Sequence, residues 1–172
     1  MCKKPLIILI NGKASSGKTK LAETIKETYN LMNVSILHNA DYVKELARNI
    51  FGWHDIKDDR GRKLLIDLAN TAYNYDEYFW EKQTEEKIVP LYDDIVCIPD
   101  FRYINTYNYF VNQGYKVITI HIEMDKDINS INSSIKKDKT EQKLDVKFDY
   151  EIVNEFGNID KLKSFVIDTL IF

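Results

Sequence analysis

The sequence predicts an α/β fold in which helices cover both faces of a parallel sheet. Continuous apolar runs such as Ile95–Ile98 are typical of strands that are buried on both faces. These runs alternate with segments of helical spacing, which is the order expected of a parallel sheet. The third observation is a glycine-rich loop between the first apolar run and the first helical segment, because such loops bind phosphate groups in folds of this class.

The glycine-rich loop follows the apolar run Pro5–Ile10 and precedes a helical pattern. Its glycines let backbone N–H groups turn toward phosphate oxygens, and the start of the helix adds partial positive charge. The pattern predicts that Lys18 reaches the β- and γ-phosphates of ATP and that the Thr19 hydroxyl ligates Mg²⁺. The alternative is a Gly-Lys-Thr turn without a ligand. The predicted ATP-binding residues are Gly12, Lys13, Ala14, Ser15, Ser16, Gly17, Lys18 and Thr19.

Apolar runs predict five strands. In such sheets ligands bind beyond the carboxyl ends of the strands, so the residues that follow each run are candidates for the site. The predicted strands are Pro5–Ile10, Val34–His38, Ile95–Asp100, Tyr115–Ile122 and Phe148–Val153.

Helical segments are predicted between the strands. Asn39 and Asp41 are expected to cap the second helix, which ends near Gly52. The aromatic-rich segment 73–87 is predicted to be helical and part of the core, with a base-stacking platform as the alternative. The positions with helical spacing are Leu21, Ile25, Thr28, Leu31 and Met32, then Val43, Leu46, Ala47 and Ile50, then Leu64, Leu65, Leu68 and Ala69, then Ile104, Tyr107 and Val111, and finally Ile159, Leu162, Phe165, Val166 and Leu170.

Composition excludes several classes of protein. The chain has 172 residues and a formal net charge of −3, which argues against an extended nucleic acid as partner. No apolar run approaches the roughly 18 residues of a membrane span, and no targeting segment is visible. Cys2 and Cys97 lack metal-ligand spacing, and Cys97 is expected to be a free thiol in the core, so we expect a cytoplasmic protein. The sequence leaves the oligomeric state open, a homodimer included.

Five polar residues are candidates for the chemistry. Asp100 ends a buried strand, where it is expected to ligate Mg²⁺ through water or to activate an acceptor, with a helix cap as the structural alternative. Arg102 lies two residues further on and is expected to bind phosphate, because a guanidinium holds phosphate through two parallel hydrogen bonds; a surface or capping role is the alternative. Arg60 and Arg62 open a helix where an acceptor phosphate could be held, or else belong to a solvated helix start. Asp41 is either a substrate contact or an N-cap.

The segment 123–147 is polar and rich in lysine. Its lysines are either a solvated face or part of a lid that covers transferring phosphates.

The order of these motifs resembles the deoxynucleoside monophosphate kinase family of phages and bacteria, within the adenylate-kinase-like group. The motifs that carry the resemblance are the phosphate loop, Ala40–Ala47, Gly61–Leu65, Asp100–Tyr103 and Phe148–Asn154.

This resemblance implies a single domain over residues 1–172 with the fold of the phosphate-loop nucleoside monophosphate kinases and a five-stranded parallel sheet. It also implies an acceptor-binding insertion at about 39–90 and a lid at about 124–147, with Thr140-Glu141 in the place of the family's Ser-Glu pair. By the same resemblance, Arg62 and Arg102 face the acceptor monophosphate, and Asp41 and Asp100 line the site.

The expected activity is Mg²⁺-ATP-dependent phosphoryl transfer to a nucleoside monophosphate, with Lys18, Asp100 and Arg102 as the catalytic residues. One alternative is a kinase of another small metabolite. The other is a nucleotide switch or NTPase that acts on a protein partner.

Overall fold

The computed structural model describes residues 4–56, 58–90, 92–125, 144, 146–155 and 158–170. Five parallel strands form one sheet in the order β2-β3-β1-β4-β5, which confirms the predicted fold class. The strands are β1 (Leu6–Asn11), β2 (Val34–Ile36), β3 (Ile95–Ile98), β4 (Val117–Met124) and β5 (Tyr150–Asn154). The helices are α1 (Lys18–Thr28), α2 (Ala40–Phe51), α3 (Asp59–Tyr75), α4 (Phe79–Ile88), α5 (Ile104–Asn112) and α6 (Ile159–Thr169).

Alternate side chains of β1 enter two different cores. Ile8 and Ile10 pack with residues of α1 and α6 on one face of the sheet, and Ile7 and Leu9 pack with Phe101 and the aromatic residues of α5 on the other. All four side chains are fully buried. The central strand is therefore covered on both faces, as its continuous apolar run predicts.

Helix boundaries differ from the prediction in two places. The first helix ends at Thr28, and Leu31 is 99% exposed, so the apolar pair 31–32 does not extend the helical face. The segment 73–87 contains a break, because Asp76 is extended and its carboxylate accepts a hydrogen bond from the N–H of Tyr78. This local turn separates α3 from α4.

The buried face of α5 is also not the predicted one. Thr106, Tyr109 and Phe110 are buried, whereas Ile104 and Val111 are about 40% exposed. The aromatic rings of Tyr109 and Phe110 bury more apolar area than the aliphatic side chains would, and this sets the rotation of the helix. Cys97 is a buried free thiol, as predicted.

None of the helices in the described ranges is long and apolar enough to cross a membrane.

Candidate functional site

The glycine-rich loop connects β1 to α1 at the centre of the sheet. Ser15 and Gly17 have positive φ angles of 63° and 101°, so the backbone reverses its curvature twice before α1 begins at Lys18. Left-handed residues in such a loop can turn neighbouring backbone N–H groups toward a common point. These angles are compatible with the phosphate-binding loop that the sequence pattern predicts.

Both loop glycines are required by close contacts. A Cβ atom at Gly12 would lie 2.3 Å from the carbonyl oxygen of Ile122, and one at Gly17 would lie 2.6 Å from the side-chain nitrogen of Asn154. Such distances are far inside van der Waals contact, and the positive φ at both glycines adds strain for any other residue. The loop thus packs directly against the ends of β4 and β5.

The N-terminus of α1 carries no side-chain cap and no acidic residue in its first turn. By contrast, Asp58 caps α3 and Asn158 caps α6 through side-chain oxygens. An uncapped helix start leaves backbone N–H groups and partial positive charge for an anion. A phosphate group is therefore a fitting partner for this end of α1.

Lys18 lies across the loop. Its ammonium nitrogen donates to the carbonyl oxygens of Gly12 and Lys13 at 2.6 Å each, which places a cation within the curve of the loop. Thr19, the second residue of α1, is exposed. A hydroxyl at this position and a cation beside the loop are the donor set that phosphate with Mg²⁺ requires.

A pocket of about 250 Å³ opens on one side of the loop, beyond β4 and β5. Asn154, at the end of β5, is only 6% exposed, and its Nδ2 donates to the carbonyl oxygen of Ser16 at 3.0 Å. Its Oδ1 is buried and has no hydrogen-bond partner in the described structure. The pocket is lined by Ser15, Gly17, Lys20, Met124, Asn154, Glu155, Asn158, Ile159 and Leu162.

Asp100 lies on the other side of the loop, just beyond β3. Its two carboxylate oxygens accept hydrogen bonds from the backbone N–H groups of Asn39 and Ala40, at 3.1 and 2.9 Å. These contacts are those of a helix cap for α2. Each oxygen retains a lone pair that could still hold a water molecule.

The expectation that Asn39 caps α2 through its own side chain is wrong. Asn39 already has helical backbone angles, and its Oδ1 accepts a hydrogen bond from Thr84 Oγ1 instead. Asp41 lies in the first turn of α2 and accepts from Lys44 Nζ at 2.9 Å. The acid that satisfies the start of α2 therefore comes from a distant part of the chain, which local spacing does not reveal.

The three candidate arginines are exposed. Arg60 and Arg62 lie in the first turn of α3, as expected, and Arg102 lies between β3 and α5. Arg102 shares the β3–α5 connection with Asp100, whereas Arg60 and Arg62 are placed on a separate element. The structure thus brings Asp100 and Arg102 to the carboxyl edge of the sheet and places the other two on α3, between β2 and β3 in the chain.

A chain of hydrogen-bonded polar groups, in which Asn11 and His121 are buried, joins β1 to the Asp100 region. The side-chain amide of Asn11 donates to the carbonyl oxygen of Phe101 at 2.9 Å, and its oxygen lies 2.8 Å from Nδ1 of His121. Nε2 of His121 in turn lies 3.0 Å from a carboxylate oxygen of Glu123. The phosphate loop therefore begins from a strand end that is fixed to both neighbouring strands.

A second pocket, of about 410 Å³, lies beside the start of α5. We call it the aromatic pocket, because the rings of Tyr73 and Tyr103 form part of its wall, with their centroids 5.4 Å apart. Its described lining residues are Tyr73, Glu77, Tyr103, Ile104, Asn105 and Leu144.

A buried acid lies behind the wall of the aromatic pocket. Glu81 is 0% exposed, and its Oε1 accepts from Thr106 Oγ1 at 2.7 Å and from the Tyr73 hydroxyl at 3.3 Å. Its Oε2 has no hydrogen-bond partner in the described structure. Burial raises the pKa of Glu81 above its ordinary value, although the Thr106 hydrogen bond opposes this effect.

Sequence reasoning did not name four residues of this region as site residues: Asn11, Tyr103, Asn154 and Glu81. Tyr103 and Asn154 lie within motifs that carry the resemblance, and Asn11 and Asn154 end strands, so their positions were a usable signal. Glu81 had no such signal, because an acid in the first turn of a helix is ordinarily a solvated residue.

No group of three or more metal-ligating side chains occurs among the residues that the structure describes. The predicted lid, including Thr140-Glu141 and its lysines, lies almost entirely outside the described residues.

No protein-family model matches the chain, and a search of curated proteins found no match. Solved structures do match it over nearly the full length of both chains. The APS kinase of Mycobacterium tuberculosis, in complex with AMPPNP and APS, is 11% identical with a TM-score of 0.59, over 97% of this chain and 98% of that one.

Two further structures give the same result. A putative kinase from Chloroflexus aurantiacus is 14% identical with a TM-score of 0.54, over 99% and 98% of the two chains. The shikimate kinase of Aquifex aeolicus is 12% identical with a TM-score of 0.52, over 95% of each chain. At this level of identity the likeness shows the fold, and this chain has the fold of the phosphate-loop kinases.

Proposed function

We propose that this protein transfers the γ-phosphoryl group of Mg²⁺-ATP to a nucleoside monophosphate, ribose or deoxyribose, to give the diphosphate. The observation that carries the proposal is the position of the phosphate loop between two pockets. The strand order places the loop after the central strand β1, the aromatic pocket beyond β3, and the second pocket beyond β4 and β5. Phosphoryl transfer between two substrates requires a binding site for each of them, with the transferred phosphate held between the two sites.

In this proposal the loop and the pocket beyond β5 hold ATP. The backbone N–H groups of the loop and the ammonium of Lys18 neutralise the phosphates, after Lys18 has exchanged its carbonyl partners for phosphate oxygens. The base of ATP would lie in the pocket beside Asn154. The neighbouring APS kinase structure, which contains AMPPNP, supports nucleotide binding by this fold.

The residues proposed to hold Mg²⁺ are Thr19, through its hydroxyl, and Asp100, through water. Mg²⁺ would supply charge neutralisation at the transferring phosphates. Asp100 also fixes the start of α2 through its two amide contacts, so its replacement affects the insertion as well as the metal.

On the acceptor side we propose that the monophosphate lies between the aromatic pocket and the loop. Arg102, beside Asp100, would bind its phosphate, with Arg60, Arg62 and Asp41 contributing from the insertion. Transfer is direct, so the side chains orient the two substrates, exclude water and stabilise charge, and no covalent intermediate with the protein forms.

The experiment that tests this proposal measures ADP formation from Mg²⁺-ATP with each ribo- and deoxyribonucleoside monophosphate in turn. Acceleration by one or a few of them would identify the acceptor. If none accelerates ADP formation while ATP still binds, the monophosphate assignment is wrong, and another small metabolite becomes the acceptor. ATP hydrolysis that is indifferent to every monophosphate would instead indicate an NTPase.

The variant Lys18→Ala tests the loop assignment. We expect kcat to fall by about a hundredfold or more, because a charge aimed at the transferring phosphate is lost, while circular dichroism and melting temperature stay near those of the wild type. Lys26→Ala, an exposed lysine at the other end of the same helix, is the matched control and should leave kcat unchanged. Full activity of Lys18→Ala would rule out this role for the loop.

A further inference from the structure

The aromatic pocket offers flat apolar walls. Tyr73 comes from the end of α3 and Tyr103 from the start of α5, and their ring planes are inclined at 68° to each other. Tyr103 is 40% exposed, so part of its ring remains accessible to a ligand. Ile104 and Leu144 add aliphatic surface. Such walls suit a planar ring, which can stack on an aromatic face whatever its identity.

The polar groups of the pocket mostly accept hydrogen bonds. Glu77 contributes a carboxylate, and the described lining residues include no lysine, arginine or histidine. The hydroxyl proton of Tyr73 is used by Glu81, which leaves the Asn105 amide and the Tyr103 hydroxyl as the donors available to a ligand. A ligand edge that itself donates hydrogen bonds is therefore the better match.

An acidic group lies behind the Tyr73 wall of the pocket. Burial is the main reason that the pKa of the Tyr73 hydroxyl is raised, and the charge of Glu81 raises it further. Glu81 is in direct contact with Tyr73, because its carboxylate accepts a hydrogen bond from the Tyr73 hydroxyl. The local field thus favours positively polarised groups, such as the N–H bonds of an amino group.

We propose that this pocket selects an acceptor whose ring carries an exocyclic amino group, with Glu77 accepting a hydrogen bond from that group and the two tyrosine rings packing on the ring. This inference rests on the proposed function, and it names the acceptor class as a monophosphate of cytosine, adenine or guanine in preference to uracil or thymine. Uracil and thymine present a carbonyl oxygen where cytosine has its amino group. That oxygen and the Glu77 carboxylate are both hydrogen-bond acceptors, so they would repel each other instead of forming a hydrogen bond.

The test compares kcat/KM for pairs of acceptors that differ at the amino group. The pairs are dCMP with dUMP, AMP with IMP, and dGMP with dIMP. We expect the amino-bearing member of the pair that the enzyme uses to be preferred by roughly tenfold or more, since a site that accepts a hydrogen bond discriminates against an analogue lacking the donor. Glu77 is exposed, and solvent can replace a lost hydrogen bond there, so we expect a weaker discrimination than at a buried site of the same kind.

The variant Glu77→Gln should bring that preference close to one, because an amide both donates and accepts and thus tolerates either group. Glu86→Gln is the matched control: Glu86 is an exposed acid on α4 that does not belong to the pocket lining described above, and its removal should leave the preference unchanged.

The outcomes separate this inference from the proposed function. If no monophosphate accelerates ADP formation, the proposed function fails and the inference fails with it. If monophosphates are phosphorylated but the amino-bearing member is not preferred, or if Glu77→Gln leaves the preference intact, the inference alone is wrong. The variant Tyr103→Ala tests whether the acceptor ring packs on the tyrosine rings. We expect the KM for the acceptor to rise by roughly tenfold and the KM for ATP to stay unchanged.

Discussion

At the scale of single residues, Glu81 has an unusual environment for an acid. It is fully buried, its Oε2 has no partner in the described structure, and its hydrogen bonds come from two hydroxyl groups rather than from a cation. Burying an ionised carboxylate under these conditions costs free energy. The pKa of Glu81 is raised because this cost applies to the ionised carboxylate and not to the protonated acid.

We predict that wild-type stability falls as pH rises above the ordinary pKa of a glutamate and through the raised pKa of Glu81. The folded state binds the Glu81 proton more tightly than the unfolded state, so folding is favoured at low pH and this contribution is lost as the carboxyl ionises. The variant Glu81→Gln removes the titration. Its free energy of unfolding relative to the wild type should therefore rise as the pH increases above the ordinary pKa of a glutamate, by about 1.4 kcal/mol for each unit by which the pKa of Glu81 is raised.

Glu86→Gln, on the exposed face of the same helix, serves as the control and should run parallel to the wild type across this pH range. A Glu81→Gln melting curve that shows the same pH dependence as the wild type would mean that Glu81 titrates at an ordinary pKa.

Asn154 is a second residue whose role can be measured. We predict that Asn154→Ala raises the ATP KM by roughly five- to tenfold, because the hydrogen bond that holds Ser16 is worth about 1 kcal/mol. Asn154→Asp should be no better, since it replaces the donor with an oxygen that faces the Ser16 carbonyl. The acceptor KM should stay constant in both variants. An unchanged ATP KM in steady-state kinetics would show that the loop keeps its shape without this contact.

At the scale of elements, the start of α3 depends on Gly61. A Cβ atom at this position would lie 2.2 Å from the carbonyl oxygen of Ile56 and 2.7 Å from Nε1 of Trp53, two groups that are hydrogen-bonded to each other. Asp58 completes the turn by accepting from the N–H of Gly61 at 2.7 Å. The absence of a side chain at Gly61 thus lets the first turn of α3 pack closely against Trp53 and the carbonyl group of Ile56.

We predict that Gly61→Ala lowers the free energy of unfolding by about 2 kcal/mol, as measured by urea denaturation. Overpacking against a backbone carbonyl costs about 1 to 3 kcal/mol or more and outweighs the gain of about 1 kcal/mol in helix propensity. Asn70→Ala, at an exposed position of the same helix, should be neutral or slightly stabilising. A Gly61→Ala protein as stable as the wild type would show that the helix start can shift without cost.

At the scale of the whole molecule, the sequence predicts most of the sheet. The runs that form most of β1 and all of β3 are continuously apolar, too short for a helix and too regular for a loop. The phosphate loop is equally clear, since its glycines and Lys18 follow the end of a strand. Contacts between distant segments could not be predicted. The cap that Asp100 provides for α2 joins residues about 60 positions apart, and the Asn154–Ser16 bond joins residues 138 apart.

The aromatic pocket was predicted less well than the loop for a related physical reason. It is formed by tyrosines from two different helices and by a turn at Asp76 that interrupts an otherwise helical pattern. Periodicity shows which face of one helix is apolar, but it does not show which helices meet.

Two hydrogen-bonded connections end at the adjacent residues Asp100 and Phe101. Asn11, at the end of β1, bonds to the carbonyl of Phe101, and the first amides of α2 bond to the carboxylate of Asp100. The phosphate loop and the start of α2 are therefore both hydrogen-bonded to this pair of adjacent residues. In the proposed function, a substrate that displaces these residues would also change the position of the other proposed site, and any energetic coupling carried in this way is equal in both directions.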